Sequence, residues 1–370
     1  MSGGVPHGAV LLTGATGAVG RPLVRALAAC GVERVYALTH REPLDGLGPR
    51  VRAVAGDVTA GDSLGLDPRD ADAICATTTA IVHAAADTRF AAHAGVAHAV
   101  NAGGTRHVLA FASRCPRLDR LLALSTTYVA GRRTGDVYER ELEHDSGFVN
   151  VYEASKYAAE RALRERFGDL PISVCRLSTV IGDSRTGEIG RRGAIHQAVL
   201  CMYASLAPML PGREDNPVDL IALDYAVQAI AWLATGGFTP GRTWHLCAGA
   251  DTIDAGELLD LTLACFELYR PAWRKRAIAR PAIVDLATFE LFTRSVDQVG
   301  DDLLSASTAG LSHFAPQLAF PKRFDNRDSV AALAGAAIIK PPLRDAWRSV
   351  VRRLVQPSPV GAPQAADAAN

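Results

Sequence analysis

Three features of this 370-residue sequence predict an α/β fold, a doubly wound parallel sheet of the Rossmann type with a smaller, mostly helical second lobe. Short β-branched runs alternate through the first half with longer segments of helical period. A glycine-rich turn, Thr13-Gly14-Ala15-Thr16-Gly17-Ala18-Val19-Gly20, follows the first such run. The length exceeds what one compact core usually holds.

The first strand is expected at Ala9 to Thr13. A helix follows the turn, with Val19, Leu23 and Leu27 recurring every four residues on its sheet-facing side. Further strands are expected at Arg34 to Leu38, Val51 to Ala55, Ala80 to His83 and Leu121 to Leu124. The segments Val96 to Arg114 and Val151 to Arg166 are long enough to be crossover helices, and Pro116 stops the first. Residues 1–187 and 218–250 read as the sheet body, and 188–217 and 251–355 as the second lobe. The Pro- and Ala-rich residues 356–370 read as a disordered tail.

Composition narrows the function classes. Apolar residues make up 48% of the chain, and 39 basic residues balance 39 acidic ones, which argues against a general nucleic-acid binder. The seven cysteines form no CxxC pair and read as buried apolar residues in a reducing compartment. The start of the chain has neither a basic n-region nor an apolar h-region. No run approaches the roughly 18 apolar residues of a spanning helix, so a cytoplasmic location is expected. The histidines lack metal-ligand spacing, and a homo-oligomer stays open.

Glycines 14, 17 and 20 sit between a strand and a helix, so backbone N–H groups and the helix N-terminus can meet a dinucleotide pyrophosphate. The expected contacts are Gly14, Thr16, Gly17, Ala18, Val19 and Gly20. Farther on, Tyr152-Glu153-Ala154-Ser155-Lys156 places a phenol and an ammonium four apart on one helix face. A neighbouring cation is expected to lower the Tyr152 pKa from its ordinary value. Together these features suggest carbonyl reduction.

The GxxGxxG spacing and the YxxxK pair resemble the extended branch of the short-chain dehydrogenase/reductase superfamily. The resemblance places Asp57-Val58 near the adenine, and Ala84 and Ala85 where the backbone approaches the nicotinamide half, with His83 in a packing role. At the end of the second strand, Leu38-Thr39-His40-Arg41 offers no acid to hold an unphosphorylated ribose, and Arg41, with Arg21, is suited to a 2′-phosphate. NADPH is therefore expected over NADH, with Glu42 as the contrary feature. The layout of extended reductases selects Thr126, five residues before Gly131, as the hydroxyl that orients the carbonyl, with Ser125 as its substitute. Tyr152 would protonate the oxygen, and Lys156 would hold the ribose hydroxyls.

Three phrases resemble the thioester reductase and fatty acyl reductase group: Asn101-Ala102-Gly103-Gly104-Thr105, Ser125 to Gly131, and Arg176 to Gly187. The last contains Gly-Asp-Ser-Arg-Thr-Gly, the most specific of them. By this resemblance Leu177, Ser178 and Val180 flank the nicotinamide, although Leu177 stands where a proline is usual. The implied substrate is an acyl group held as a thioester on an acyl carrier protein or coenzyme A, supplied in trans and released as aldehyde or alcohol. The resemblance reaches through Val218 to Tyr225 and His245-Leu246, to about residue 250.

An extended dehydrogenase or epimerase acting on a ketone, a sterol-like molecule or a sugar nucleotide shares the glycine turn and YxxxK. A dehydratase would need Asp-Glu after Thr126, where Thr127-Tyr128 stands. A protein that binds NADPH without turning it over would more naturally lack Tyr152 or Lys156. In the second lobe, the basic run Arg270, Arg274, Lys275, Arg276 and Arg280 suggests either an acidic docking partner or a solvated face. Leu286, Phe289, Leu291 and Phe292 suggest core packing or an acyl tunnel. Asp345 to Leu354 reads as an amphipathic helix packed on the body.

Overall fold

The computed structural model describes residues 8–46, 48–90, 92–273, 280–299, 302–312 and 315–356. Its central sheet contains β1 (Ala9–Thr13), β2 (Arg34–Thr39), β3 (Val51–Ala55), β4 (Thr78–His83), β5 (Arg120–Thr126), β6 (Ile172–Leu177) and β7 (Thr243–Leu246). The order is β3-β2-β1-β4-β5-β6-β7, and every neighbouring pair is parallel. The winding reverses between β1 and β4, and a crevice opens there at the carboxyl ends of the strands.

Because side chains alternate across a strand, β1 feeds two cores. Val10 and Leu12 meet Leu23, Val24 and Leu27 of α1 (Gly20–Ala29), together with the helix Leu223–Ala234. Ala9 and Leu11 face the opposite layer, built from α2 (Pro68–Thr77), α3 (Gly104–Arg114) and α4 (Val151–Arg164). This two-sided burial explains why the central strands read as nearly continuous apolar runs.

The expected strands are present, and β5 is longer than its apolar run because Ser125 and Thr126 continue the ladder opposite Arg176 and Leu177. The expected helix from Val96 to Arg114 is present, running from Ala94 to Arg114 with a π turn inside it. A short helix, Ala94–His98, passes into a π turn at Ala99–Gly103 before α3 begins. Two adjacent glycines at 103 and 104 weaken helical preference there.

The second-lobe segments pack on the sheet through a core continuous with it. Phe266, Phe289 and Trp347 join that core, and the Trp347 indole N–H donates to Thr262 Oγ1 at 2.9 Å. The amphipathic helix runs Leu343–Val355 with Trp347, Val350 and Val351 buried, as expected. The Gly182 to Gly187 phrase builds its seat: Asp183 accepts from Arg185 N, Thr186 N and Thr186 Oγ1, and a Cβ on Gly187 would lie 2.1 Å from Ser349 O. Of the basic run from Arg270 to Arg280, Arg280 is spent on Glu214 and Asp260, while 274–276 lie outside the described residues. The expected tail after Gln356 also lies outside them.

All seven cysteines are free, with Cys30 partly exposed and the rest buried. Among the described residues no helix is long and apolar enough to cross a membrane, and no group of three or more His, Cys, Asp or Glu could hold a metal.

A buried ion pair joins α4 to β6. Glu160 and Arg176 are 0% and 1% exposed, and the Arg176 guanidinium donates to both carboxylate oxygens, the shortest contact being 2.7 Å. Ser125 Oγ donates to the same carboxylate at 2.7 Å, and Arg176 Nη1 meets His245 Nε2 at 3.0 Å. Burial raises the Glu160 pKa, but the Arg176 charge and these hydrogen bonds outweigh it and hold the carboxyl below its usual range. Arg176→Met should destabilise the protein by about 3–5 kcal/mol, because it strands a buried carboxylate. A denaturant melt that moved by less than about 0.5 kcal/mol would contradict this account.

Candidate active site

The glycine turn sits directly on the end of β4. Gly14 has φ +71°, and a Cβ there would lie 2.5 Å from the Ala84 and Ala85 backbone. A Cβ on Gly20 would lie 2.0 Å from Gly14 O, so the helix can start this close to the turn only with glycine. Gly17 differs, since a Cβ there would meet only Gly14 O, at 3.2 Å, and its outer side is open. No side chain caps α1, and its first turn holds no acid. The uncapped N–H groups and the helix dipole therefore suit a pyrophosphate, and the residues present fit a dinucleotide.

After the end of β3, Asp57 accepts from Thr59 N and Thr59 Oγ1, both at 2.8 Å, and faces His40 at 3.3 Å. Burial pulls its pKa upward, but the Thr59 hydrogen bonds and the positive fields of His40 and Arg41 bring it below the ordinary value. Val58 is buried under Gly104. Arg21 is held by Glu42 at 2.9 Å and by Thr16 O, so Glu42 spends its charge on Arg21. Arg41 is exposed and belongs to no ion pair among the described residues.

Thr126, Tyr152 and Lys156 come together at the carboxyl end of β5. Thr126 is buried, lies close enough to the Tyr152 phenol to pull its pKa downward, and accepts from Tyr128 N at 3.2 Å. Leu177 is opposite Thr126 in the ladder, Ser178 N donates to Leu246 O, and Val180 pairs with Ile221. Tyr152 owes its position to the start of α4. Asn150 accepts from Glu153 N at 3.1 Å, while Glu153 Oε2 accepts from Val149 N at 2.9 Å, a reciprocal cap. Phe90 packs edge-on against the Tyr152 ring at 5.4 Å.

The expected lowering of the Tyr152 pKa does not occur. Burial pushes it up to about 12, the Glu153 carboxylate adds to the rise, and the Thr126 hydroxyl offsets only part. Lys156 Nζ donates instead to Leu124 O at 2.8 Å. Its own pKa is lowered to about 8 by burial, which the Glu160 charge opposes. Tyr152 is thus a protonated phenol through the neutral range, the form that can deliver a proton. Ser125, the expected substitute for Thr126, is committed to Glu160.

Two buried polar clamps hold these strand ends. Thr105 donates to Asn101 O and so accepts from His83 Nε2, at 3.0 Å; the other ring nitrogen then accepts from Thr13 Oγ1 at 2.8 Å. Thr13 Oγ1 in turn accepts from Ala85 N. Burial, aided by the Lys156 charge, lowers the His83 pKa to about 3, so it serves here as a neutral bracket. Asn101, in the π turn, donates to Ser155 Oγ at 2.8 Å and Asp87 O at 2.9 Å, tying the loop after β4 to α4. Asn101 and Ser155 stood inside motifs read from the sequence, but their pairing depends on the π turn. Gly190, not anticipated, comes so close to the glycine turn that a Cβ would lie 2.7 Å from Ala18 O.

Of the residues considered for an acyl tunnel, Phe289 is in the core and Leu291 is 60% exposed. Two cavities share Val218 and Leu318 in their walls, one lined largely by apolar residues of 195–218 and 255–262, the other by Thr127, Tyr128, Thr179 and residues 317–324.

The family model described as male sterility protein, an NAD-binding group, matches residues 41–230. The chain belongs to that family. Within the male sterility protein family it is an NAD(P)-dependent oxidoreductase of the extended short-chain dehydrogenase/reductase type. It is 31% identical over 192 residues to a polyketide synthase-nonribosomal peptide synthetase of Aspergillus flavipes, covering 49% of this chain and 5% of that protein. It is 30% identical over 269 residues to an isonitrile lipopeptide synthase of Streptomyces coeruleorubidus, covering 65% of this chain and 18% of that protein. The chain therefore spans only a small part of those curated relatives. Its fold is similar to that of the terminal R domain from the myxalamid PKS-NRPS biosynthetic pathway, with TM-score 0.77, 24% identity, and coverage of 96% of this chain and 91% of that one.

Burial also lowers the Lys322 pKa to about 8, opposed by the Glu153 charge, so two of the four lysines in the sequence are displaced from their ordinary position. An NMR titration of the lysine side chains should show both losing their proton near pH 8, with Lys156→Arg removing one. Titration of every lysine near pH ~10.4 would contradict this burial.

Proposed function

We propose that this member of the male sterility protein family is an NADPH-dependent reductase of acyl thioesters, with the acyl group delivered on the phosphopantetheine of a carrier protein or of coenzyme A. Bound NADPH supplies a hydride to the thioester carbonyl carbon. Thr126 donates a hydrogen bond that orients the carbonyl oxygen, and Tyr152 gives its proton to that oxygen as negative charge develops. Breaking the C–S bond then releases the thiol, which takes up the proton given back by the oxygen, and leaves an aldehyde. A second hydride and proton would yield the alcohol.

The observation that carries this reading is the placement of Thr126 and the Tyr152 phenol together at the crevice end of β5, with Lys156 one helical turn on from Tyr152. The synthetase names of the curated relatives support a thioester as the acyl donor, because such assemblies carry acyl groups on thiols. The lone guanidinium of Arg41 beside Asp57, with Glu42 occupied by Arg21, supports the 2′-phosphate of NADPH.

The protein, NADPH and a panel of acyl-coenzyme A and carrier-bound thioesters should show absorbance loss with a trappable aldehyde or alcohol. Tyr152→Phe should lower that turnover by roughly 10²–10⁴ while leaving nucleotide affinity within about twofold. Unchanged turnover would remove Tyr152 from the reaction. Arg41→Ala should raise the KM for NADPH by about tenfold and leave the KM for NADH nearly unchanged, since only the former loses a charge-assisted contact. Equal effects on both nucleotides would assign Arg41 another role.

A further inference from the structure

Two cavities share Val218 and Leu318 in their walls, and one of them is lined by Thr127, the residue after Thr126. The nearer one is lined by Thr127, Tyr128, Thr179, Asp219, Gln317 and Lys322 among others. Most of its polar groups are already committed. The Tyr128 hydroxyl pairs with Thr179 Oγ1 at 2.7 Å, Asp219 accepts from Ala248 N and Gly249 N, and Lys322 Nζ donates to Gly131 O. Two groups are left over. Thr127 Oγ1 and Gln317 Nε2 are buried and make no hydrogen bond, although their residues are only 1% and 6% exposed. Buried polar atoms are seldom left unpaired, and an orphaned pair lining one cavity points to a ligand that completes them.

The farther cavity has the opposite character. Its walls include Val199, Met202, Leu210, Leu258, Ile283 and Trp347. Its polar lining atoms are satisfied internally, since the Trp347 N–H donates to Thr262 Oγ1 and Thr262 donates to Leu258 O. Such an apolar lining is suited to an aliphatic chain.

We propose that the two cavities form one bipartite acyl site, in which Thr127 and Gln317 bind a hydroxyl or amide group of the acyl chain and the apolar cavity takes the aliphatic tail. This assignment rests on the acyl-thioester reading. Thr127 directly follows Thr126, and neighbouring Cα atoms are about 3.8 Å apart, so the polar group should stand about two to three bonds beyond the reacting carbonyl. A chain lacking that group would leave both buried atoms unpaired, which selects against a plain fatty acyl chain.

The test uses alcohols of the product class, so that binding is measured apart from turnover. Calorimetry should compare decanol, a decanediol with its second hydroxyl on the third carbon, N-octanoyl ethanolamine, and a butanediol with the same hydroxyl spacing. The decanediol or the amide should bind at least about tenfold tighter than decanol, and the arm that gains identifies the polar group. The butanediol should bind at least about tenfold more weakly than the decanediol, because it lacks the tail. Thr127→Val and Gln317→Leu should each shrink the advantage over decanol, whereas Thr127→Ser, which keeps the hydroxyl, should retain it. Equal binding of decanol, decanediol and amide to the unaltered protein would overturn the proposal, as would an advantage that survives both substitutions together. Absence of turnover on every thioester, with this binding pattern intact, would instead sink the reductase reading and leave the site standing.

Discussion

The Glu160–Arg176 ion pair is the interaction on which the arrangement of the reactive groups depends. It pins α4 against β5, β6 and β7 at one point, through Ser125, Arg176 and His245. Glu160 lies one helical turn beyond Lys156, which lies one turn beyond Tyr152, so fixing the carboxylate fixes the whole reactive face of α4. An ion pair this deep is poor evidence of net stability, because desolvation consumes much of the attraction. Its value is positional: few arrangements satisfy one carboxylate from Ser125, Arg164 and Arg176 at once.

The electrostatics of the crevice follow from the same burial. The Tyr152 phenol is forced to keep its proton, and Lys156 and Lys322 hold theirs less tightly than usual. Glu153, cap of α4 and neighbour of Tyr152, has its pKa pushed up to about 7 by burial, with hydrogen bonding from Val149 and the Lys322 and Arg132 charges opposing the rise. Two lobes meet in this set, because Lys322 arrives from a strand, Lys322–Phe324, that pairs with Gly135–Val137 after β5. The second lobe therefore contributes charge as well as covering.

The sheet was legible in the sequence because two-sided burial writes itself as apolar runs, and the glycine turn because its close contacts tolerate no Cβ at 14 and 20. Thr126, Tyr152 and Lys156 were legible by spacing, since a strand end and one face of a helix can be read locally. Other features depend on residues far apart in the chain. The Glu160–Arg176 pair, the bracket of Thr13, His83 and Thr105, and the orphaned Thr127 and Gln317 carry no periodic signal. The direction of the Tyr152 shift failed for a related reason: spacing along a helix reports which groups are neighbours, but the phenol responds to how much water the fold removes.

The loop from Gly182 to Gly193 has a mechanical consequence. At Gly187 it touches the backbone of the C-terminal helix Leu343–Val355, and at Gly190 it touches the backbone of the nucleotide turn, in both places with no room for even a methyl group. Contacts that close cannot yield independently, so a shift of the last helix is transmitted to the glycine turn between β1 and α1. Fusions or truncations at the end of the chain would thus be felt at the opposite end of the sequence.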